Sequence, residues 1–225
     1  MNEIADRLHA VRQRVAAACA AAGRAPDSVR LLAVSKGHDA AAIEQAGAAG
    51  QLEFGENYVS EALAKIAQLP REKHVWHFIG PLQSNKTREV AENFDWAHSV
   101  DRLKTAQRLS AQRPAGAAPL NVCVQVNVSG EASKSGCAPA EALELCRAIA
   151  ALPRLELRGL MAIPAPGSGR APYALLRSLR DEARRAGLAL DTISAGMSDD
   201  LEDAIAEGST LVRIGTAIFG ARNRQ

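Results

Sequence analysis

Eight short apolar runs, separated by helical patterns, constrain this chain of 225 residues more than any other feature. They fall at Leu31–Lys36, Leu52–Gly55, Val75–Ile79, Asp95–Ser99, Val122–Val128, Leu155–Met161, Leu190–Ser194 and Thr210–Gly215. Their length and flanking Gly, Pro and Asn residues fit buried strands. A helix over residues 3–22 precedes them, with Ile4, Leu8, Val11, Val15 and Cys19 on one stripe and Gly23 and Pro26 at its end. Further helical patterns cover 40–49, 58–69, 85–93, 102–112, 139–151, 172–186 and 199–207. In the second of these Val59, Ala62, Leu63 and Ile66 share a face. Asp101 and Ser198 are placed to cap helices, Pro139 and Pro172 stand at first-turn positions, and Gly208 ends the last pattern. Strands that alternate with helices pair in parallel through right-handed crossovers, and eight of them close naturally into a barrel. The expectation is an α/β fold, a single (β/α)8 TIM barrel with an extra N-terminal helix, forming one domain over 1–225. A doubly wound open sheet is the alternative. The Ala/Gly/Pro-rich stretch near 113–119 reads as a loop.

Composition narrows the function classes. Lys plus Arg is 27 and Asp plus Glu is 25, and a net charge of +2 gives no reason to expect nucleic acid or an anionic membrane as partner. No apolar run approaches about 18 residues, and charges at Glu3, Asp6, Arg7, Arg12 and Arg14 interrupt any secretory pattern. Cys19, Cys123, Cys137 and Cys146 form no C-x-x-C pair, as expected for reduced thiols in a cytoplasmic protein. His74 and His77 are three apart on a strand and face opposite sides, so no metal is expected there. No exposed apolar helix face stands out, and the expected state is a monomer.

In a barrel the chemistry sits where the strands end. The first strand ends in Ser35-Lys36-Gly37. The seventh leads into Gly196-Met197-Ser198 and the eighth into Gly215-Thr216. Backbone N–H groups and two hydroxyls at the last two turns suit a phosphate, provided Asp199 and Asp200 point away. If Leu211 faces inward, so does Arg213, and an inward guanidinium needs an anion or another acceptor. Desolvation favours the neutral, nucleophilic form of a lysine amine, so Lys36 beside a phosphate cup suggests a Schiff base to a phosphorylated aldehyde. Pyridoxal 5′-phosphate (PLP) fits this reading, and so does the substrate of a sugar-phosphate aldolase. A lysine reaching solvent from a strand end is the plain alternative. Residues 80–87, GPLQSNKT, approach the phosphate-loop pattern, but Asn85 replaces its second glycine.

The stretches AVSK, FGENY, WHFIGPLQSNK, E-x-x-K-S-G at 131–136, RGLMAI and GMSDDLEDAIAEGSTLVRIGTAIFGAR together resemble the pyridoxal phosphate homeostasis protein family. The resemblance implies a barrel like the alanine racemase N-terminal domain, PLP held as a Schiff base on Lys36, and a role in vitamin B6 homeostasis. It implies that Ser198, Gly215 and Thr216 hold the phosphate, that Arg213 faces the pyridine nitrogen, and that Asn57 lies near the ring. Met197 shapes the wall, and Lys134 matches a family lysine linked to secondary vitamer binding or transfer. Partners would be PLP, other B6 vitamers and PLP-accepting apo-enzymes.

An arginine cannot take a proton from the pyridine nitrogen, so it favours a neutral ring that stabilises carbanions poorly. Racemisation also needs acid–base groups on both faces of the substrate carbon. In related racemases a second-domain tyrosine serves one face. This chain ends about ten residues after the eighth strand, and its two tyrosines, Tyr58 and Tyr173, stand in no matching place. The expectation is a PLP carrier with no efficient catalysis. The alternative is a PLP-dependent amino-acid racemase of low activity.

Overall fold

A computed structural model describes residues 3–131 and 134–221. The eight expected strands are β1 Arg30–Val34, β2 Glu53–Glu56, β3 Val75–Phe78, β4 Trp96–Val100, β5 Leu120–Gln125, β6 Leu155–Met161, β7 Thr192–Ser194 and β8 Leu211–Ile214. They pair in parallel, in chain order, and close by pairing β1 with β8 in the register Arg30↔Leu211 to Ala33↔Ile214. The open-sheet alternative is thereby excluded. Nine α-helices surround the barrel among the described residues: α1 Glu3–Ala21, α2 Ala40–Ala48, α3 Val59–Ile66, α4 Thr87–Asn93, α5 Leu103–Gln112, α6 Ala142–Ala150, α7 Ala171–Arg185, α8 Leu201–Ala206 and α9 Thr216–Phe219.

Strand alternation sorts side chains between two layers. Outward-facing Ala33, Phe54, Trp76, Phe78, Val122 and Val124 join the helices in the main apolar cluster. A second cluster of Leu32, Val34, Ile79 and Leu211 fills one side of the barrel interior. A third, of Trp96, Cys123 and Met161, lies toward the N-terminal mouth. The guanidinium groups of Arg30 and Arg158 lie over the Trp96 ring there, 4.8 and 5.2 Å from its centroid. Each fully buried large side chain contributes about 1.5–3 kcal/mol.

The N-terminal helix α1 buries Leu8, Val11, Val15, Ala18 and Cys19 and packs against α2, α8 and α9. It is therefore fastened to the same helices that follow the seventh and eighth strands. Arg24 strengthens the attachment by donating to the carbonyls of Ile205 and Ser209, both at 2.7 Å.

Two expected caps are replaced. Helix α5 begins at Leu103 with Arg102 at the N-cap position, and Asp101 pairs with Arg102 at 3.3 Å. Helix α8 begins at Leu201, with Asp200 rather than Ser198 at the N-cap position. The Asp200 carboxylate turns back to accept from the Met197 N–H at 2.6 Å, which moves the helix start past Ser198. Within the 131–136 stretch, Ala132 and Ser133 lie outside the described residues.

Candidate functional site

The C-terminal ends of the strands surround a cleft of about 620 Å³. It is lined by all seven residues singled out above: Lys36 after β1, Asn57 after β2, Met197 and Ser198 after β7, Arg213 on β8, and Gly215 and Thr216 after it. Lys134 stands apart. It lines an adjoining pocket of about 160 Å³ that shares Ile79 and Ile163 with the cleft, and its Nζ lies 3.0 Å from Glu131 Oε1.

Lys36 is half-buried, and the backbone on both sides of it is held from behind the barrel. Lys65 of α3 is only 5 % exposed. Its ammonium donates to the Ser35 carbonyl at 2.8 Å, to Glu56 Oε1 at 2.7 Å and to Glu61 Oε1 at 2.6 Å, which satisfies all three of its protons. Glu61 also accepts from the Gly37 N–H at 2.6 Å, and Ser35 Oγ donates to Glu56 at 2.6 Å. Burial pushes the Glu56 carboxyl above its ordinary range, against the pull of Lys65. The residues before and after Lys36 thus share one buried ionic cluster. The periodicity of α3 contained a signal for it, because Lys65 continues the inward spacing of Val59 and Ala62.

The opposite side of the cleft is made of turns. Gly196 adopts φ 94°, where a Cβ would also meet the Ala204 side chain at 2.7 Å. Helix α9 opens at Gly215 and Thr216, so its first N–H groups have no intrahelical acceptor. The turn after β7 is tied from outside. Arg14 of α1 donates to the Ser198 carbonyl at 2.7 Å and pairs with Glu202, while Asp200 accepts from the Tyr173 hydroxyl at 2.6 Å. Asp200 is therefore committed to protein donors, as the phosphate reading requires, whereas Asp199 lines the cleft and does not meet that condition. Sequence reasoning missed Arg14 and the Asp200–Tyr173 pair, since neither contact is local in the chain.

Arg213 forms the floor. It is 4 % exposed and donates to the Ser194 carbonyl at 2.6 Å, Ser194 Oγ at 2.9 Å and the Ala162 carbonyl at 3.0 Å. Burial lowers its pKa to about 10, so it stays cationic at neutral pH. All of these partners are neutral acceptors. On the β2 side, Asn57 Oδ1 is buried without a hydrogen-bond partner. Gly80 permits this arrangement, because a Cβ there would lie 2.1 Å from the Asn57 carbonyl oxygen. This close approach accounts for the first glycine of the near-match to a phosphate loop. The remaining residues of that motif are engaged locally: Lys86 pairs with Glu89 at 3.0 Å, and Thr87 donates to the Ser84 carbonyl at 2.9 Å.

Comparison with known proteins identifies the family and agrees with the fold. Residues 7–223 match the family described as alanine racemase, N-terminal domain. The chain is 60 % identical over 224 residues to the pyridoxal phosphate homeostasis protein of Pseudomonas aeruginosa, covering 99 % of this chain and 97 % of that protein. It is 55 % identical to the protein of the same name from Escherichia coli K12, covering 99 % and 98 %. PipY of Synechococcus elongatus, solved with PLP bound, superposes with a TM-score of 0.83 at 39 % identity, covering 96 % of this chain and all of that one. Alanine racemase from Corynebacterium glutamicum shares the fold at a TM-score of 0.72 and 18 % identity, covering all of this chain and 62 % of the enzyme. The chain belongs to the alanine racemase N-terminal domain family and is similar throughout its length to pyridoxal phosphate homeostasis proteins.

Proposed function

We propose that this protein binds PLP in the C-terminal cleft and serves intracellular PLP homeostasis as a carrier, holding the cofactor for delivery to apo-enzymes. The observation that carries the reading is the convergence, in one cleft, of Lys36, the buried cation Arg213 and the small-residue turns at Ser198 and Gly215–Thr216. The PLP-bound relative at 39 % identity supports it. Lys36 would condense with the aldehyde to form a Schiff base, with loss of water. The two turns would hold the phosphate, and Arg213 would face the ring nitrogen. Met197 and Ile163, both partly exposed apolar side chains on the cleft wall, offer surface to an aromatic ring. The unpartnered Asn57 Oδ1 offers an acceptor to a ligand donor.

When bound, PLP supplies an aldehyde for amines and an electron sink whose strength depends on ring protonation. Arg213 has no proton-accepting atom and remains a donor, which favours the neutral ring. Tyr173 is engaged with Asp200, which together with burial raises its pKa, and Tyr58 is 64 % exposed and does not line the cleft. Neither is placed to move a proton on the face of a substrate opposite Lys36. We therefore favour a carrier over a racemase. The four cysteines are free and buried, and burial raises the thiol pKa of Cys123 and Cys146 to about 12, in keeping with a reducing cytoplasm. Residues 1–225 would act as one monomeric unit, with Lys134 contacting a further vitamer.

Titration of the protein with PLP, followed by absorbance, tests the reading. Wild type should develop a saturable Schiff-base band that Lys36→Ala lacks, and should restore activity to a PLP-dependent apo-enzyme. Sustained, Lys36-dependent turnover of alanine or serine would overturn the carrier reading in favour of the racemase.

A further inference from the structure

The strands beneath Arg213 carry polar side chains where a barrel interior usually holds branched aliphatic ones. Ser194 on β7, His98 on β4, His77 on β3 and Glu53 on β2 form a continuous series. Ser194 Oγ lies 2.8 Å from His98 Nδ1, His98 Nε2 lies 2.9 Å from His77 Nδ1, and His77 Nε2 lies 3.2 Å from Glu53 Oε2. Glu53 is also paired with Arg30 at 3.3 Å. The first three side chains are fully or almost fully buried. His77 is further fixed by stacking on Trp96, with ring centroids 5.2 Å apart and an interplanar angle of 11°.

We propose that Ser194, His98 and His77 form a one-directional chain of hydrogen bonds from Arg213 to the His77 ring, ended by the electrostatic contact of that ring with Glu53, and that they act as positioning residues for Arg213.

The direction follows from which atoms can donate. Glu53 as a carboxylate only accepts. Burial pushes it up, but contacts with His77 and Arg30 outweigh burial and hold it below its ordinary value. The His77–Glu53 contact is not aligned as a hydrogen bond, yet a bare nitrogen lone pair facing a carboxylate would be repelled. Nε2 of His77 therefore carries the proton. Burial also keeps both rings neutral, His98 most strongly. A neutral His77 protonated at Nε2 leaves Nδ1 as an acceptor, so His98 donates from Nε2. That leaves His98 Nδ1 to accept from the Ser194 hydroxyl. Ser194 Oγ then presents a lone pair to Arg213, from which it receives the 2.9 Å bond. Each donor sets the next, and the series runs from a buried cation on β8 to an anion on β2. With either ring in the other tautomer, two lone pairs or two N–H groups would face each other at one of the links.

The chain rests on the protein's own atoms. Its use in aiming Arg213 at a bound ring rests on the PLP reading above. Two measurements separate them. Nitrogen-15 NMR of the histidine rings in the protein without PLP, at pH 7, should show His77 and His98 neutral and protonated on Nε2. An Nδ1-protonated ring or an imidazolium at either position would overturn the chain. Ser194→Ala and His98→Leu should then shift the Arg213 guanidinium resonances, move the absorption maximum of bound PLP, and weaken PLP binding roughly tenfold, as expected for one lost hydrogen bond to a charged group. His98→Gln, which can still donate and accept, should recover most of the effect. Arg213 resonances unchanged in Ser194→Ala would refute the positioning role, whether or not PLP binds. A wild-type protein that takes up no PLP would refute the cofactor reading and leave the NMR result standing.

Discussion

The two sides of the barrel interior solve opposite problems. Beneath Lys36 the interior is aliphatic, filled by Leu32, Val34, Ile79 and Leu211. The ionic groups that hold this side lie outside the barrel, between β2 and α3, where Lys65 joins Glu56 and Glu61. Beneath Arg213 the arrangement is reversed, and the polar series from Ser194 to Glu53 runs through the interior itself. Under the proposed Schiff-base role of Lys36, an amine that must lose its proton to react with an aldehyde gains from an apolar wall. A guanidinium that must stay charged while buried needs acceptors. On that reading, the barrel interior is divided according to the charge state each end group must keep.

The largest test of this division is Lys65→Met. It leaves the buried carboxylate of Glu56 and the half-buried one of Glu61 without their cation, and loss of one partner of a buried pair costs about 3–5 kcal/mol. Urea denaturation should show a lower midpoint, and borohydride trapping of PLP on Lys36 should slow as Ser35 and Gly37 lose their anchors. A midpoint equal to wild type would mean that the cluster contributes nothing. Next in size, Leu32→Ala on the aliphatic side should cost roughly 2–5 kcal/mol through lost burial and a cavity, read by the same denaturation.

The polar side should reveal itself through pH. Burial holds His77 and His98 below the ordinary histidine value of about 6.5. The unfolded chain therefore takes up protons first as pH falls. Their contribution is fully present above about pH 6.5 and is lost as pH drops toward the folded values, by about 1.4 kcal/mol per pH unit for each ring. Stability curves between pH 7.5 and 5.5 should fall more steeply for wild type than for His98→Gln, and equal slopes would contradict a neutral buried ring. The smallest effect is expected at Arg14→Ala. Its exposed pair with Glu202 contributes about 0.2–1 kcal/mol, but losing the bond to the Ser198 carbonyl should loosen the turn and weaken PLP binding severalfold in a titration.

Much of this was legible in the sequence. Short apolar runs bounded by Gly, Pro and Asn and separated by helical patterns revealed the eight strands, and the inward parity of Leu211 placed Arg213 in the interior, through the period of two along a strand. The seven cleft residues could be named from strand ends and family motifs. The histidine series could not. Each of its members looks like an isolated polar residue in its own segment, and only barrel closure brings β2, β3, β4 and β7 together. The cluster around Lys65 left a partial signal, the inward spacing of Lys65 on α3. The caps assigned to Asp101 and Ser198 failed for a related reason. Local spacing offered them as acceptors, but Arg102 pairs with Asp101, and the Asp200 carboxylate takes the Met197 amide and shifts the start of α8.

The central claim is that Lys36, on the aliphatic side, is the residue that holds PLP. Borohydride reduction of the protein saturated with PLP, followed by peptide mass spectrometry, addresses it directly. The account predicts a single pyridoxyl adduct on the peptide containing Lys36, and none on Lys65, whose three protons are committed to Ser35, Glu56 and Glu61. An unmodified Lys36, or an adduct spread over several lysines, would contradict it.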